Sequence, residues 1–172
     1  MAKIVYISGG QRSGKSQFAE EFVLHASSHP VYVATARVLD DDFRERVRIH
    51  QDRRGPQWTN IEEPLYLGRL RLDHRVVLVD CLTLWTTNFF FDKGEDRIEE
   101  AFECIKSELD IFLQSSGAQM IVFVSNEIGL GGTSPNRMQR KFADLLGLVN
   151  QYVAKQSDEA YLCISGIPVR IK

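Results

Sequence analysis

The sequence predicts an α/β fold built on a mostly parallel, doubly wound sheet, and three observations predict it. Short apolar runs rich in β-branched residues recur along all 172 residues. Stretches with helical periodicity separate them, the alternation that a parallel sheet with crossover helices requires. A glycine-rich loop joins the first apolar run directly to the first helical stretch.

In chain order, KIVYIS (3–8) reads as the first strand and QFAEEFVLHA (17–26) as the helix after it. VYVAT (31–35), VVLVD (76–80), MIVFVS (120–125) and AYLCIS (160–165) read as further strands, each too brief for a helix and apolar enough to be covered on both faces. DCLTLW (80–85) can open a helix. Ile98, Ala101, Phe102, Ile105, Leu109 and Phe112 recur at intervals of three and four, as do Met138, Phe142, Leu145, Leu146, Val149 and Val153, so each set marks an amphipathic helix. The closing IPVRIK alternates apolar and polar residues and predicts an edge strand at the C-terminus. No linker, repeat or low-complexity stretch interrupts residues 1–172, so one domain is expected, burying roughly 70% of its unfolded surface.

Composition narrows the function classes. The chain is 44% hydrophobic and 26% charged, with net charge −2, unlike the broad basic surface of a nucleic-acid reader. No apolar run approaches the ~20 residues of a membrane span, and MAKIVYISGG is too soon broken for a signal peptide, so a cytoplasmic location is expected. Cys81, Cys104 and Cys163 are far apart and form no CxxC pair, which argues against a disulfide framework or a zinc site.

The loop after the first strand, Gly9-Gly10-Gln11-Arg12-Ser13-Gly14-Lys15-Ser16, fits G-x-x-x-x-G-K-[ST] throughout. With a strand before it and a helix after it, this is a P-loop: glycines let backbone N–H groups point at phosphate oxygens, and the helix N-terminus adds its dipole. Lys15 would reach the β- and γ-phosphates of a nucleoside triphosphate, and Ser16 would hold Mg²⁺. Asp80 ends a buried strand, where a P-loop protein places its second Mg²⁺ contact and where an ordinary protein places a helix cap. A guanine-reading NKxD motif is missing from VSNEIGLGG (124–132), which weighs against a GTPase switch.

RVRIHQDRRG (46–55) gathers four arginines around His50. Arg46, His50, Arg53 and Arg54 share one face if the stretch is helical. An imidazole there can attack phosphorus, with guanidiniums neutralising the oxygens, or can act as a general base. A solvated helix face would look the same, and spacing alone leaves the three readings open. His25, His29 and His74 have no motif partner and read as structural or exposed, and Trp58 and Trp85 read as packing residues.

The motifs nevertheless resemble those of the bifunctional adenosylcobinamide kinase/adenosylcobinamide-phosphate guanylyltransferase family. The resemblance is carried, in order, by GGQRSGKS, YVATARVLDDDFRERVRIHQDRR, WTNIEEP, VDCLTLWTTN, SNEIGLG and LGLVNQYVAKQSDEAYLCISGIPVRIK, and covers nearly the whole chain. It implies an enzyme that phosphorylates adenosylcobinamide with ATP or GTP, then takes GMP from GTP onto a histidine and passes it to the new phosphate. His50 falls on the family's R-I-x-x-H histidine, followed by Gln51, Asp52, Arg53 and Arg54 on the nucleotide. Glu62 resembles the glutamate near guanine, a base with two adjacent donors for a carboxylate, although the neighbouring Glu63 is also suitable. Ala34, Thr35 and Ala36 fall on a nucleotide-side loop. A homotrimer with active sites between subunits is implied as well. Gly132-Thr133-Ser134 stands where the family has an apolar pair before proline, and Ala143 where it commonly has arginine; both departures bear on corrinoid contacts. A kinase without nucleotidyl transfer and a non-catalytic nucleotide-binding module are the competing readings.

Overall fold

The computed structural model describes residues 2–37 and 55–172. These contain β1 (Lys3–Gly9), α1 (Lys15–Ala26), β2 (Val31–Ala34), β3 (Thr59–Glu62), β4 (Val76–Asp80), α2 (Leu82–Lys93), α3 (Ile98–Ser115), β5 (Met120–Asn126), α4 (Arg137–Gln156), β6 (Glu159–Ile164) and β7 (Ile167–Arg170). The strands form one seven-stranded sheet in the order β3-β2-β4-β5-β1-β6-β7. All neighbours are parallel except β6 and β7, which make an antiparallel hairpin at the C-terminal edge. The predicted fold class is therefore the observed one.

Alternation along the strands divides their side chains between two cores. Val5, Ile7, Val76, Leu78, Val122 and Val124 pack with Ala19 and Val23 of α1. Tyr6, Val77, Val79, Ile121 and Phe123 pack on the opposite face with Trp85, Ile105, Leu109, Phe112, Leu145 and Val149 of the other three helices. Because both faces are covered, the central strands are continuous apolar runs rather than alternating ones. Among the described residues the layers are unequal: α1 covers one face, while α2, α3 and α4 cover the other. Phe112 and Phe123 are fully buried and meet edge to face, each contributing about 1.5–3 kcal/mol by leaving water. Trp85 is fully buried and Trp58 nearly so, as packing residues should be.

One strand lay beyond sequence reading. β3 (TNIE) has a single apolar residue, and β2 recruits it as an edge strand by pairing Val31 through Ala34 with Thr59 through Glu62. The predicted edge strand at the C-terminus is β7, exposed along its whole length.

Candidate active site

Because β1 through β5 run parallel, their carboxyl ends meet along one edge of the sheet, where α/β folds bind ligands. Most of the residues assigned to ligands from sequence lie on that edge. Ala34 is in register with Glu62 on one side and Asp80 on the other, so the three form a row across β3, β2 and β4. Asp80 is level with Val124 of β5, and Val124 with Ile7 of β1, so Gly9 stands two residues beyond that row and opens the loop Gly9–Ser16.

The loop is shaped by its own backbone and by the far end of the chain. Gly14 has φ 86°, a left-handed conformation that glycine takes without penalty, and stands at the N-cap of α1 without a side chain to block the helix end. Ser13 N–H donates to Gly10 O at 3.3 Å, and Lys15 Nζ donates to the same carbonyl at 3.1 Å. The turn between β6 and β7 packs on the loop: Gly166 N–H donates to Ser13 O at 2.9 Å, and a Cβ on Gly14 would stand 3.0 Å from Gly166 Cα. A Cβ on Gly9 would stand 2.7 Å from Cys163 O, so this strand end admits only glycine. Ser13 Oγ is buried with no hydrogen-bond partner among the described residues.

Neighbouring strand ends are held by polar side chains. Glu127 N–H donates to Gly9 O at 3.0 Å, extending β5 alongside the loop. Thr83 Oγ1 at the start of α2 accepts from the backbone N–H and side-chain amide of Asn126, at 2.9 and 3.0 Å. Buried Ser125 Oγ donates to Asn150 Oδ1 at 2.6 Å, and Asn150 Nδ2 donates to Asn126 O. Tyr32 Oη donates to Asp80 Oδ2 at 2.8 Å, fixing that carboxylate over the edge. Ser16 and Asp80 offer only oxygen, the donor set a hard divalent cation prefers, and the residues therefore fit Mg²⁺.

The two candidate glutamates are separated by their contacts. Glu63 Oε1 accepts from the N–H groups of Leu65 and Tyr66 at 3.0 and 2.7 Å, closing a turn around Pro64. Glu62 ends β3 with its side chain exposed at the binding edge. Thr35 is fully buried, and its Oγ1 donates to Cys81 O at 2.8 Å, which ties the loop after β2 to the start of α2. Arg37 makes a two-pronged ion pair with Asp92, both contacts at 2.7 Å, which holds the Asp92 carboxyl below its usual range. His50, Gln51, Asp52, Arg53 and Arg54 lie outside the described residues.

Beside α4 a groove of about 1040 Å³ opens, walled by Phe90, Phe91, Ile128, Met138 and Phe142. Gly132, Thr133, Ser134 and Ala143, the family departures, also line it. Cys81 is buried under the edge; burial first, and then the Asp80 charge, push its thiol up to about 12, so it stays protonated and takes no nucleophilic role. His25, His29 and His74 are exposed, and His29 and His74 precede the amino ends of β2 and β4, at the edge opposite the candidate site. Sequence reasoning missed Tyr32, Thr83, Asn88 and Gly166, whose partners lie dozens of residues away.

Comparison with known proteins gives a concordant picture. A profile described as cobinamide kinase / cobinamide phosphate guanyltransferase matches residues 5–171. The bifunctional adenosylcobalamin biosynthesis protein CobU of Escherichia coli (strain K12) is 34% identical over 181 residues, covering 98% of this chain and 99% of that protein. CobP of Pseudomonas aeruginosa (strain PAO1), also described as a bifunctional adenosylcobalamin biosynthesis protein, is 34% identical over 170 residues, covering 96% and 95%. With a phosphate loop set in the required strand and helix, and a match running almost from end to end, the chain belongs to the cobinamide kinase / cobinamide phosphate guanyltransferase family.

Proposed function

We propose that this protein, acting as a single domain, performs both steps of the family's chemistry: transfer of the γ-phosphoryl group of ATP or GTP to adenosylcobinamide, then transfer of GMP from GTP to the phosphate just made. The observation that carries the reading is the shared edge, on which Gly9–Ser16, Ala34, Glu62 and Asp80 come from four neighbouring or near-neighbouring parallel strands. In the first step the loop N–H groups and Lys15 hold the triphosphate and spread the charge that develops as the terminal phosphoryl leaves for the substrate hydroxyl. Ser16 and Asp80 would hold Mg²⁺, which when bound offsets charge on the phosphate oxygens.

In the second step the His50 imidazole attacks the α-phosphorus of GTP. A nitrogen–phosphorus bond forms, the bond to pyrophosphate breaks, and pyrophosphate departs with the electron pair. An oxygen of the substrate's phosphate then attacks the same phosphorus, frees His50 and yields adenosylcobinamide-GDP. Arg53 and Arg54, with Gln51 and Asp52, flank His50 in sequence and are assigned to the nucleotide. Glu62 accepts from N1–H and the amino group of guanine, and Ala34–Ala36 bound the nucleotide on that side. Ile128 of the groove beside α4 follows Glu127, whose N–H meets Gly9 O of the phosphate loop, so the groove would offer a bulky ring an apolar seat. A cytoplasmic homotrimer, with no nucleic-acid partner, completes the proposal. Among the described residues no helix is long and apolar enough to cross a membrane.

The test is GTP labelled at the α- or the γ-phosphate, incubated without corrinoid with wild type and His50→Ala. An α-label that stays on the protein, is released by acid but stable to alkali, and disappears in the variant is the expected result. Retention of γ-label alone would make His50 a phosphoryl carrier and overturn the second step. Retention of neither would leave a kinase.

A further inference from the structure

The ladder between β2 and β3 ends at the bond from Glu63 N–H to Ala34 O, 2.9 Å. Beyond it the two chains part. Thr35 turns its hydroxyl to Cys81 O, and Leu65 and Tyr66 turn their N–H groups back onto Glu63. Pro64 has no N–H to continue the ladder. Across this split lies one side chain: Asn88, midway along α2 and 7% exposed. Its Nδ2 donates to Thr35 O and to Pro64 O, each at 2.8 Å. Both acceptors are carbonyls, so only the amide nitrogen can face them, and both of its N–H groups are used. A buried amide satisfied in this way fixes the separation of the two loops it bridges, since losing either bond would strand a polar group away from water.

We infer that Asn88 is a positioning residue for base recognition. It sets the distance between the loop after β2, which leads in sequence to His50, and the loop after β3, which begins directly after Glu62. The inference rests on the proposed reading of Glu62 as the acceptor for guanine. The phosphate loop follows β1, which β4 and β5 separate from β2. Asn88 should therefore govern which base is accepted and leave the grip on phosphate alone.

The test compares wild type, Asn88→Asp and Thr86→Val, using GTP and ATP analogues labelled on the ribose, with inorganic tripolyphosphate as competitor. Thr86 is fully buried on the same helix, with a hydroxyl that has no partner among the described residues, so its variant controls for disturbance of α2. Asn88→Asp keeps the shape but points a carboxylate at two carbonyl oxygens. The preference for GTP over ATP should fall by about tenfold or more, while tripolyphosphate affinity stays within about twofold. Thr86→Val should behave as wild type in both. An unchanged base preference in Asn88→Asp overturns the inference and leaves Glu62 standing. An equal loss of tripolyphosphate binding, or the same loss of preference in Thr86→Val, overturns it as general damage to the fold. A wild type that shows no preference for guanine removes the Glu62 reading and this inference together. Should Asn88→Asp not fold, Asn88→Ser carries the same test, since it keeps one donor and adds no charge.

Discussion

Gly14→Ala probes the contact between the phosphate loop and the C-terminal hairpin, and its cost can be worked from the backbone. At φ 86° Gly14 is left-handed, which costs a residue with a Cβ about 1–2 kcal/mol. The new methyl would also stand 3.0 Å from Gly166 Cα. That is backbone against backbone, so no flexible side-chain tip can swing away. Separating the two segments stretches the bond from Gly166 N–H to Ser13 O, a contact worth about 0.5–1.5 kcal/mol net. Together these give about 1.5–3.5 kcal/mol, or about 3–14 °C in Tm for a chain of this size. Gly10→Ala is the matched control: its Cβ would meet nothing within 4 Å, so it should change stability by less than about 0.5 kcal/mol. Thermal melting followed by circular dichroism, with and without tripolyphosphate, reads both quantities, because a ligand that binds only the native state raises Tm by an amount that grows with the logarithm of its affinity. Gly14→Ala should melt lower and gain less from the anion. Equal melting of Gly14→Ala and wild type would refute the reasoning, as would an equal loss in Gly10→Ala.

Glu62→Gln should reduce the GTP preference of the nucleotidyl step by about ten- to a hundredfold, since an amide cannot accept from both guanine donors as a carboxylate does, and competition between GTP and ATP measures it. Glu63→Gln should instead leave selectivity nearly intact and lower Tm by a few degrees, about 1 kcal/mol, through the weakened turn at Leu65 and Tyr66. Lys15→Ala should abolish measurable release of ADP or GDP with adenosylcobinamide present, while the fold, checked by circular dichroism, persists. Asp92 is held below the usual carboxylate range by its bond to Arg37, so the pair's stabilisation is complete above the unfolded value and lost as pH falls through the lowered one. Because the pair is partly exposed and screened by water, Asp92→Asn should cost less than about 1 kcal/mol at neutral pH, a gap that closes in acid when urea unfolding is followed across pH. With its thiol at about 12, Cys81 is only about one part in ten thousand thiolate at pH 8, so alkylation of the native protein should label the half-buried Cys104 first, as peptide mapping by mass spectrometry would show.

Local pattern made the strands β1, β2, β4, β5 and β6 legible, because a strand covered on both faces must be apolar throughout, and GGQRSGKS made the phosphate loop legible through its spacing. α2 offered only its opening residues. LTLWTTNFFF is apolar on almost every side, since Leu82, Trp85, Thr86, Asn88, Phe89 and Phe90 are all buried and no stripe is left to reveal its period. β3 was invisible because its strand character comes from β2 and not from its own four residues. Glu62 and Glu63 are indistinguishable as adjacent letters; the turn forced by Pro64 separates them by consuming one. The pairings of Tyr32 with Asp80, Asn88 with Thr35 and Gly166 with Ser13 span 48, 53 and 153 positions, and no local signal reports contacts that only the strand order creates.

The place of β1 in that order fixes when the protein becomes competent during its own synthesis. The phosphate loop precedes its partners in the chain: β1 pairs with β5 and β6, and its loop rests on the β6–β7 turn. A nascent chain therefore carries the nucleotide motif without the partners that shape it until β5, β6 and the β6–β7 turn have been made. The loop takes its final shape only once Gly166 has emerged to meet Ser13, so its geometry is a product of the whole sheet and not of the motif alone.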